Sequence, residues 1–362
     1  MKKKLSRLLR WETMLVILLV VLWLVFEARD NSLDAALIAK GRKAKDVFSF
    51  AKMMNGMGVY MLYSFMALGM SLILGMGDID ISIGASATLS ASVMGISYRA
   101  LLAGGTPNGM AFILAIVACL LTGCLCGFLN GFLVTRFREL FPMIITLGTQ
   151  LFFRGFCYLF LGGETLKFDG DETWGQLKTL YNGSVTLGGV KIPTIIFWFL
   201  GFALIFFIFL HLTTGGRKLF AIGENRTAAL YSGVKVDSFE LLMFVICGMM
   251  AAVSSLFYVG SASATVRADA MTGYEMYAIA VVVLGGFSTS GGKGNIIGVI
   301  LSVIIFGVMK KGLGTLYGFS DSTVNLAVGL VLIAASLLPN IAEDISNIIR
   351  VRRQHVTVKT KE

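Results

Sequence analysis

Charged side chains are scarce in this sequence. Asp, Glu, Lys and Arg make up 14% of its 362 residues, whereas a typical soluble domain contains about 25%. Hydrophobic residues reach 56%, so a soluble protein of this size would have too few charges to cover its surface. These proportions exclude a soluble globular enzyme and a disordered chain. They leave a polytopic membrane protein.

Histidine, cysteine and proline are also rare. The two histidines, His211 and His355, lie far apart, and all five cysteines fall within apolar runs. Neither residue type shows a metal-binding spacing or a catalytic arrangement. We therefore expect no catalytic, cofactor-binding or metal-binding residue in this chain. The four prolines contrast with 42 glycines, and abundant glycine is typical of membrane helices.

Long apolar runs predict an all-α polytopic fold with about ten transmembrane helices, because a crossing needs about 20 mostly apolar residues. The predicted crossings are 12–27, 54–76, 82–103, 110–134, 143–162, 193–212, 239–260, 275–290, 295–313 and 322–341. The eighth is the shortest and is predicted to be broken or partly re-entrant. Crossings two to five and seven to ten suggest an inverted repeat of two halves.

The distribution of basic residues predicts the orientation of the chain. Lys and Arg are more frequent in the segments that become cytoplasmic when both termini lie inside, and this also explains the net charge of +10 without nucleic acid. We expect one integral membrane domain, 1–362, in the cytoplasmic (inner) membrane. Within it, 1–53 forms an uncleaved anchor helix and outer loop, and 342–362 forms a basic cytoplasmic tail.

Two carboxylates lie in the glycine-rich segment 75–84, between the second and third crossings. Asp78 or Asp80 suits the cap of a helix that begins near Ile81. A carboxylate this close to hydrocarbon is costly and faces protein or water. The segment is therefore interpreted either as a structural cap and turn or as part of a substrate path or gate.

A short helix is predicted in the basic segment 215–233. Asn225 has the character of an N-cap, Arg226–Ser232 would form two turns, and Gly233 suits a left-handed stop. A capped helix between two crossings is suited to docking into a groove on a partner. The alternative is an ordinary basic loop on the cytoplasmic side.

Three further patterns remain. One concerns helix packing, one concerns a charge within a crossing, and the third excludes nucleotide binding. Gly123, Gly127 and Gly131 form two overlapping small-x3-small units, which allow a neighbouring helix to approach closely. Arg154 lies within a predicted crossing and needs an acidic or carbonyl partner. The segment 280–295 is not a nucleotide-binding loop, because glycine follows Lys293 where a phosphate-binding loop has Ser or Thr.

Together, the motifs of this chain resemble the permease subunits of carbohydrate ABC importers of the ribose, xylose, arabinose, rhamnose and autoinducer-2 group. The resemblance covers roughly residues 56–340. The matching motifs are Gly77-Asp-Ile-Asp-Ile-Ser-Ile-Gly84, Ile145-Thr-Leu-Gly-Thr149, Gly216-Arg217 with Ala221-Ile-Gly-Glu-Asn225, and Val283-Leu-Gly-Gly286 with Gly291-Gly-Lys-Gly294. The first departs from the family at Gly77-Asp78, where the usual pair is Gly-Gly.

The resemblance implies a transport function rather than catalysis. It implies that the chain forms the path for a monosaccharide (a pentose, a 6-deoxyhexose or an autoinducer-2-like sugar) delivered by an extracytoplasmic sugar-binding protein. It also implies a second permease copy or a paralogue, and separate cytoplasmic ATPase subunits that hydrolyse ATP, so the chain itself carries no cofactor. The implied ATPase-coupling residues are Arg217, Glu224, Asn225, Arg226, Thr227, Ala228, Ala229, Ser232 and Gly233.

The residues predicted to form the path or its gate are polar and lie within or beside apolar runs, where polar side chains are costly unless they have a function or a partner. They are Asp78, Asp80, Ser82, Asn130, Thr146, Thr149 and Gln150. The competing hypothesis is an ion-coupled secondary transporter in which Asp78 or Asp80 carries a proton or sodium ion.

Overall fold

The computed structural model describes residues 11–40, 42–43, 48–167, 178–179, 181, 183–261, 265–320, 322–327, 329–330 and 333. Most of these residues are helical, which confirms the predicted all-α class. The predicted basic tail, 342–362, lies outside the described residues, as does most of the tenth predicted crossing.

Twelve helices are named here in chain order. They are α1 (Trp11–Ala39), α2 (Phe50–Gly56), α3 (Leu62–Gly75), α4 (Ile83–Ala103), α5 (Asn108–Arg136), α6 (Pro142–Leu161), α7 (Thr194–Phe207), α8 (Thr214–Glu224), α9 (Arg226–Tyr231), α10 (Val236–Ser261), α11 (Tyr274–Leu284) and α12 (Ile296–Tyr317). A 3₁₀ turn, Met57–Met61, joins α2 to α3, and α7 ends in a wider turn, Ile208–Leu212.

The strands are short and lie at the ends of helices. They are β1 (Leu166–Lys167), β2 (Ser184–Leu187), β3 (Val190–Pro193) and β4 (Thr265–Val266). β2 and β3 form an antiparallel hairpin, and β1 pairs antiparallel with β4.

Seven helical segments of the described chain are long and apolar enough to cross a membrane. They are Trp11–Ala39, Phe50–Gly75, Asn108–Arg136, Pro142–Leu161, Thr194–Leu212, Val236–Ser261 and Ile296–Tyr317. The chain is therefore a multi-pass membrane protein. The first nine predicted crossings each overlap a helix, but the number ten stays a prediction. Two of these nine crossings match helices outside the seven segments: α4 is rich in Ser, Thr and Gly, and α11 has only 11 residues.

The bundle is layered around two central helical segments, Phe50–Gly75 and Val236–Ser261, which have the largest buried fractions of the seven. In the most apolar window of Phe50–Gly75, 89% of residues are buried, whereas the corresponding value for α1 is 11%. A helix that is apolar on all sides and buried belongs to the interior of a bundle, while α1 presents most of its apolar surface outward. α1 is held to the bundle by the Trp11 indole, which donates a hydrogen bond to the Leu284 carbonyl (2.8 Å). It continues to Ala39, well beyond the predicted end at residue 27.

The two ends of the bundle are distinct. We call the end that carries α8 and α9 the α8–α9 face. The end of α3 also lies there, since a Cβ on Gly223 of α8 would overlap the Gly75 carbonyl oxygen, which accepts a hydrogen bond from the Gly292 amide (3.0 Å) in the loop between α11 and α12. The β2–β3 hairpin and the turn before α11 lie at the other end, which we call the opposite face.

Close packing of α5 on α10 depends on glycine. The structure places Gly123, Gly127 and Gly131 against α10, where a Cβ on Gly127 would overlap the Phe244 carbonyl oxygen. A Cβ on Gly123 would likewise overlap the carbonyl of Gly248. Small residues at this spacing let two helix backbones approach closely and gain dispersion contacts.

Candidate translocation and coupling site

The predicted short helix is present on the α8–α9 face. Asn225 Oδ1 accepts a hydrogen bond from the Ala228 amide at 2.9 Å, which caps α9 at its first turn. Gly233 has a φ of +83°, the left-handed geometry expected of a stop. The cap and the stop are confirmed, and the helix ends at Tyr231, one residue before the predicted Ser232.

The residues of α9 divide between two faces. Ala229 is 4% exposed and packs inward. Leu230 is 58% exposed and Tyr231 is 86% exposed, and Thr227 and Ala228 are exposed beside them. Exposed Leu and Tyr on a short, rigid, capped helix are suited to insertion into a groove on another protein. Ser232 and Gly233 are also exposed and continue this surface.

A second helix, α8, supports α9 and was not predicted. Thr213 caps it by accepting hydrogen bonds from the amides of Gly215 (3.1 Å) and Gly216 (3.5 Å). Arg217 is exposed on this helix, and Glu224, its last residue, is also exposed. The missed signal is Thr213, an N-cap residue type, but Thr214, Gly215 and Gly216 after it are poor helix formers and conceal the start of the helix.

Four charged residues form a cluster behind α9. Arg138 donates from Nη1 to Glu240 Oε2 at 2.7 Å and also pairs with Asp237. Arg226, the first residue of α9, pairs with the other carboxylate oxygen of Glu240, and its Nη2 lies 3.6 Å from Asp237 Oδ1. We call these four residues the charge cluster. It ties α9 and the loop after α5 to the start of α10.

The centre of the charge cluster is buried. The Glu240 side chain is 0% exposed, whereas that of Asp237 is 73% exposed. A buried carboxylate is stable only when it is paired, and removal of one partner of such a pair is strongly destabilising. Two arginines from different elements therefore pair with one buried carboxylate. Breaking these pairs has a large energetic cost.

Asp78 lies near the charge cluster, in the loop between α3 and α4. Burial raises the pKa of Asp78 to about 7; the Glu240 carboxylate acts in the same direction, while Arg226 and Arg138 lower it. Its Oδ2 is buried without a hydrogen-bond partner in the described part of the chain. Asp78 is therefore a carboxyl group whose charge depends on this cluster and on solvent access.

Three of the predicted path residues form one buried network, and a fourth, Thr146, bonds to the backbone beside it. Asn130 donates from Nδ2 to Ser82 Oγ (2.6 Å) and to Asp80 Oδ2 (3.2 Å). Ser82 Oγ donates in turn to Asp80 Oδ1 (2.8 Å). Thr146 Oγ1 accepts from the Ile81 amide at 3.2 Å. Asp80, Ser82, Asn130 and Thr146 are at most 2% exposed, so in this conformation the network closes the interior rather than lining an open channel.

The last two predicted path residues lie further along α6. Thr149 donates back to the Thr146 carbonyl (3.2 Å), and Gln150 donates from Nε2 to Glu275 Oε1 (3.3 Å). Glu275 is 4% exposed at the start of α11. A Cβ on Gly84 would overlap this carboxylate, which explains the glycine at the end of the 77–84 motif.

Arg154 binds carbonyl groups through one of its two terminal nitrogens, while Nη2 is buried without a hydrogen-bond partner among the described residues. Its Nη1 donates to the carbonyls of Ala270 (2.8 Å) and Ala268 (3.0 Å) and to Thr88 Oγ1 (3.1 Å). Arg154 thus links α6 to α4 and to the turn that precedes α11. Of the two partner types that the sequence allowed, the carbonyl is observed.

Three charged residues of this region were not selected from the sequence. Arg138 lies between two predicted crossings and contributed only to the predicted orientation, and Glu240 is the second residue of the predicted crossing 239–260. Glu275 stands at the start of the shortest predicted crossing. The available signal was position. A carboxylate inside or beside an apolar run needs a partner, and this applies to Glu240 and Glu275 as it does to Asp78 and Asp80.

Comparison with known proteins places these features in a family. Residues 52–336 match the family described as "Branched-chain amino acid transport system / permease component". The autoinducer 2 import system permease protein LsrD of Yersinia enterocolitica is 33% identical over 281 residues, which cover 75% of this chain and 79% of that protein. The LsrD protein of Escherichia coli K12 is 33% identical over 252 residues, covering 68% and 71%.

A relative with another named substrate is equally similar. The ribose import permease protein RbsC of Bacillus subtilis is 33% identical over 272 residues, which cover 75% of this chain and 79% of RbsC. No solved structure matches.

The family match and these relatives define a class of membrane transport subunits. The chain belongs to the family of permease components described above, and the resemblance to carbohydrate ABC importer permeases is confirmed.

Proposed function

We propose that the chain is the permease subunit of an ATP-driven importer for a monosaccharide, such as a pentose, a 6-deoxyhexose or an autoinducer-2-like sugar. The family supports the permease role, and relatives named for ribose and autoinducer 2 support a small sugar as the substrate. A sugar needs such a path because each hydroxyl that enters hydrocarbon without a partner costs several kcal/mol (about 4–8 in the most apolar media).

The observation that carries the proposal is the geometry of α9. The helix is capped by Asn225, stopped by Gly233 and exposes Leu230 and Tyr231. This surface is proposed to dock on a separate cytoplasmic ATPase subunit, so the α8–α9 face is cytoplasmic. Both termini are then also cytoplasmic, and the membrane is the inner membrane.

The charge cluster is proposed to transmit movement from α9 into the bundle. Arg226 belongs to α9, whereas Glu240 belongs to α10, which packs closely on α5 through Gly123 and Gly127. A displacement of α9 therefore pulls on α10, and α5 carries Asn130 of the buried polar network. In this mechanism the Asp80–Ser82–Asn130 network is the gate, which opens when α5 shifts.

Three partners complete the proposed assembly. A second permease copy or a paralogue forms the other half of the path, two ATPase subunits bind at the α8–α9 face, and a sugar-binding protein delivers the substrate at the opposite face. ATP hydrolysis takes place on the partner subunits. The capture protein holds most of the selectivity, so the permease needs only transient polar contacts.

Uptake in intact cells tests the proposal against ion-coupled transport by Asp78 or Asp80. A panel of radiolabelled monosaccharides is offered to cells that express the complete gene cluster, and cells lacking this chain are the control. ATP-driven import predicts that a protonophore leaves uptake intact while cellular ATP is maintained. Loss of uptake under the same conditions would contradict the proposal and support the secondary transporter.

A further inference from the structure

A polar cavity lies away from the α8–α9 face. It has a volume of about 380 Å³, at the small end of the range of about 300–1,000 Å³ typical of ligand pockets. Six of its lining residues carry the argument: Tyr63, Thr272, Tyr274, Tyr277, Lys310 and Asn325. We call it the tyrosine cavity. We propose that it binds the transported neutral monosaccharide as the first site on the permease, a proposal that rests on the proposed function.

The position of the cavity fits the arrival of substrate. Thr272 and Tyr274 belong to the turn and the first residue of α11, which lie at the opposite face. Lys310 lies in the second half of α12, towards the same end. The cavity is therefore separated from the α8–α9 face by most of the length of these helices, on the side where the sugar-binding protein is proposed to dock.

The aromatic rings form a wall of defined geometry. The rings of Tyr63 and Tyr277 are stacked with centroids 5.4 Å apart, and the Tyr274 ring meets that of Tyr63 edge-on at 6.4 Å. Such pairs hold one another in place, so the wall is rigid. A tyrosine presents an apolar ring face to the C–H groups of a sugar and a hydroxyl to its oxygens.

One polar group in this wall, the Tyr63 hydroxyl, makes no hydrogen bond within the described part of the chain. Tyr63 is 2% exposed. A buried hydroxyl without a partner is destabilising, so its presence requires a reason. A sugar hydroxyl in the tyrosine cavity would supply the missing partner.

The remaining polar groups favour a neutral ligand with several hydroxyls. Tyr277 donates its hydroxyl hydrogen to Asn325 Oδ1, which fixes the position of a neutral hydroxyl and a neutral amide in the cavity wall. The Lys310 ammonium lies 3.7 Å from the centroid of the Tyr277 ring. This cation already covers the Tyr277 ring, so neither a cationic ligand nor a sugar stacks at that position, and the contacts left for a sugar are polar groups and the other rings. Hydroxyl, amide and ammonium groups around aromatic rings are complementary to a sugar.

Binding to the purified assembly tests the proposal without the capture protein. The sugar identified by the uptake experiment is titrated against the permease–ATPase complex in lipid nanodiscs by saturation-transfer NMR. The variant Tyr63→Phe removes one hydroxyl and keeps the ring. The matched control is Tyr258→Phe, because Tyr258 packs edge-on against Tyr274 but does not line the cavity.

We expect Tyr63→Phe to weaken sugar binding about fivefold to tenfold, the effect of one lost hydrogen bond of about 1–1.4 kcal/mol. Its melting temperature should not fall, because the hydroxyl has no partner in the sugar-free protein. Tyr258→Phe should bind as the wild type does. Equal affinity in Tyr63→Phe and in Asn325→Ala, with import intact, would overturn the cavity proposal and leave the proposed function standing.

Two other outcomes also decide the matter. If no monosaccharide on the panel is taken up, the proposed function fails and the cavity proposal fails with it. If the 5-phosphate of the sugar displaces the neutral sugar from the nanodisc complex at lower concentration, the cavity is an anion site and the neutral-sugar proposal is overturned. Competition by the neutral sugar alone supports it.

Discussion

At the scale of single residues, the charge cluster depends on one buried carboxylate. Glu240 holds both Arg138 and Arg226, which come from separate elements. Its replacement by Gln keeps the shape of the side chain and removes the charge. Since the arginines would then face a neutral amide, the folded state loses the charge-assisted character of the Arg138 hydrogen bond and the ion pair with Arg226 at a buried position.

We predict that Glu240→Gln lowers the melting temperature of the purified chain by several degrees. Asp237→Asn is the matched control, because Asp237 belongs to the same cluster but is 73% exposed, and exposed ion pairs contribute only about 0–1 kcal/mol. Differential scanning fluorimetry in detergent measures both. Equal melting temperatures for the two variants would show that Glu240 does not hold the cluster together.

The sequence supported predictions at this scale only where partners are near in the chain. Asn225 and Gly233 were identified because a cap and a stop act within a few residues. The pairing of Arg138 with Glu240 spans 102 positions, and the carbonyl partners of Arg154 lie more than 110 positions away. Such contacts depend on how helices pack, which a single sequence does not specify.

At the scale of helices, the contact between α5 and α10 depends on three glycines. A Cβ on Gly127 would overlap the backbone of α10 at Phe244, which neither helix can avoid without moving apart. The spacing of these glycines in the sequence indicated a close helix contact, because small residues four apart line one helix face. It did not indicate that α10 is the neighbour.

We predict that Gly127→Ala destabilises the folded chain by about 1–3 kcal/mol, the range for overpacking, and reduces the yield of monodisperse protein. Gly155→Ala is the control. Gly155 lies on α6, and apart from its own helix backbone no atom lies within 4 Å of the added Cβ. Size-exclusion profiles and thermal melts of both variants provide the comparison. Similar behaviour of both variants would contradict the close approach of α5 and α10.

Docking of α9 gives a second prediction at this scale. Tyr231 is 86% exposed, so Tyr231→Ala should leave the melting temperature of the chain unchanged. We expect this variant to lose most sugar uptake while the partner ATPase still hydrolyses ATP, because the contact that joins the two is weakened. Lys235→Ala, an exposed change just beyond α9, is the control. Full uptake by Tyr231→Ala would remove α9 from the coupling mechanism.

At the scale of the whole molecule, apolar runs predicted most of the architecture. The first nine predicted crossings overlap helices because a run of apolar residues must be buried in lipid or in protein, and its backbone groups are then satisfied within a helix. Two features escaped this reasoning: the extension of α1 to Ala39, and the separate helix α8. Both lie in stretches of mixed polarity, where hydropathy carries little information about the end of a helix.

Cysteine labelling tests the proposed orientation. Ser232 lies on the α8–α9 face, and Thr186 lies on the β2–β3 hairpin at the opposite face; both are exposed. We predict that a membrane-impermeant maleimide labels Thr186→Cys in intact spheroplasts and labels Ser232→Cys only after permeabilisation. Four of the five native cysteines are buried and Cys124 is half-buried, so the unmodified chain is the background control. The reverse pattern would invert the topology.

The central claim is that this chain is a path without its own source of energy. The most direct test compares two preparations of proteoliposomes, one containing the isolated chain and one containing the chain with its ATPase partner and sugar-binding protein. With ATP on the α8–α9 side, only the second should accumulate the sugar above its external concentration. Accumulation by the isolated chain, driven by an imposed proton or sodium gradient, would contradict the account.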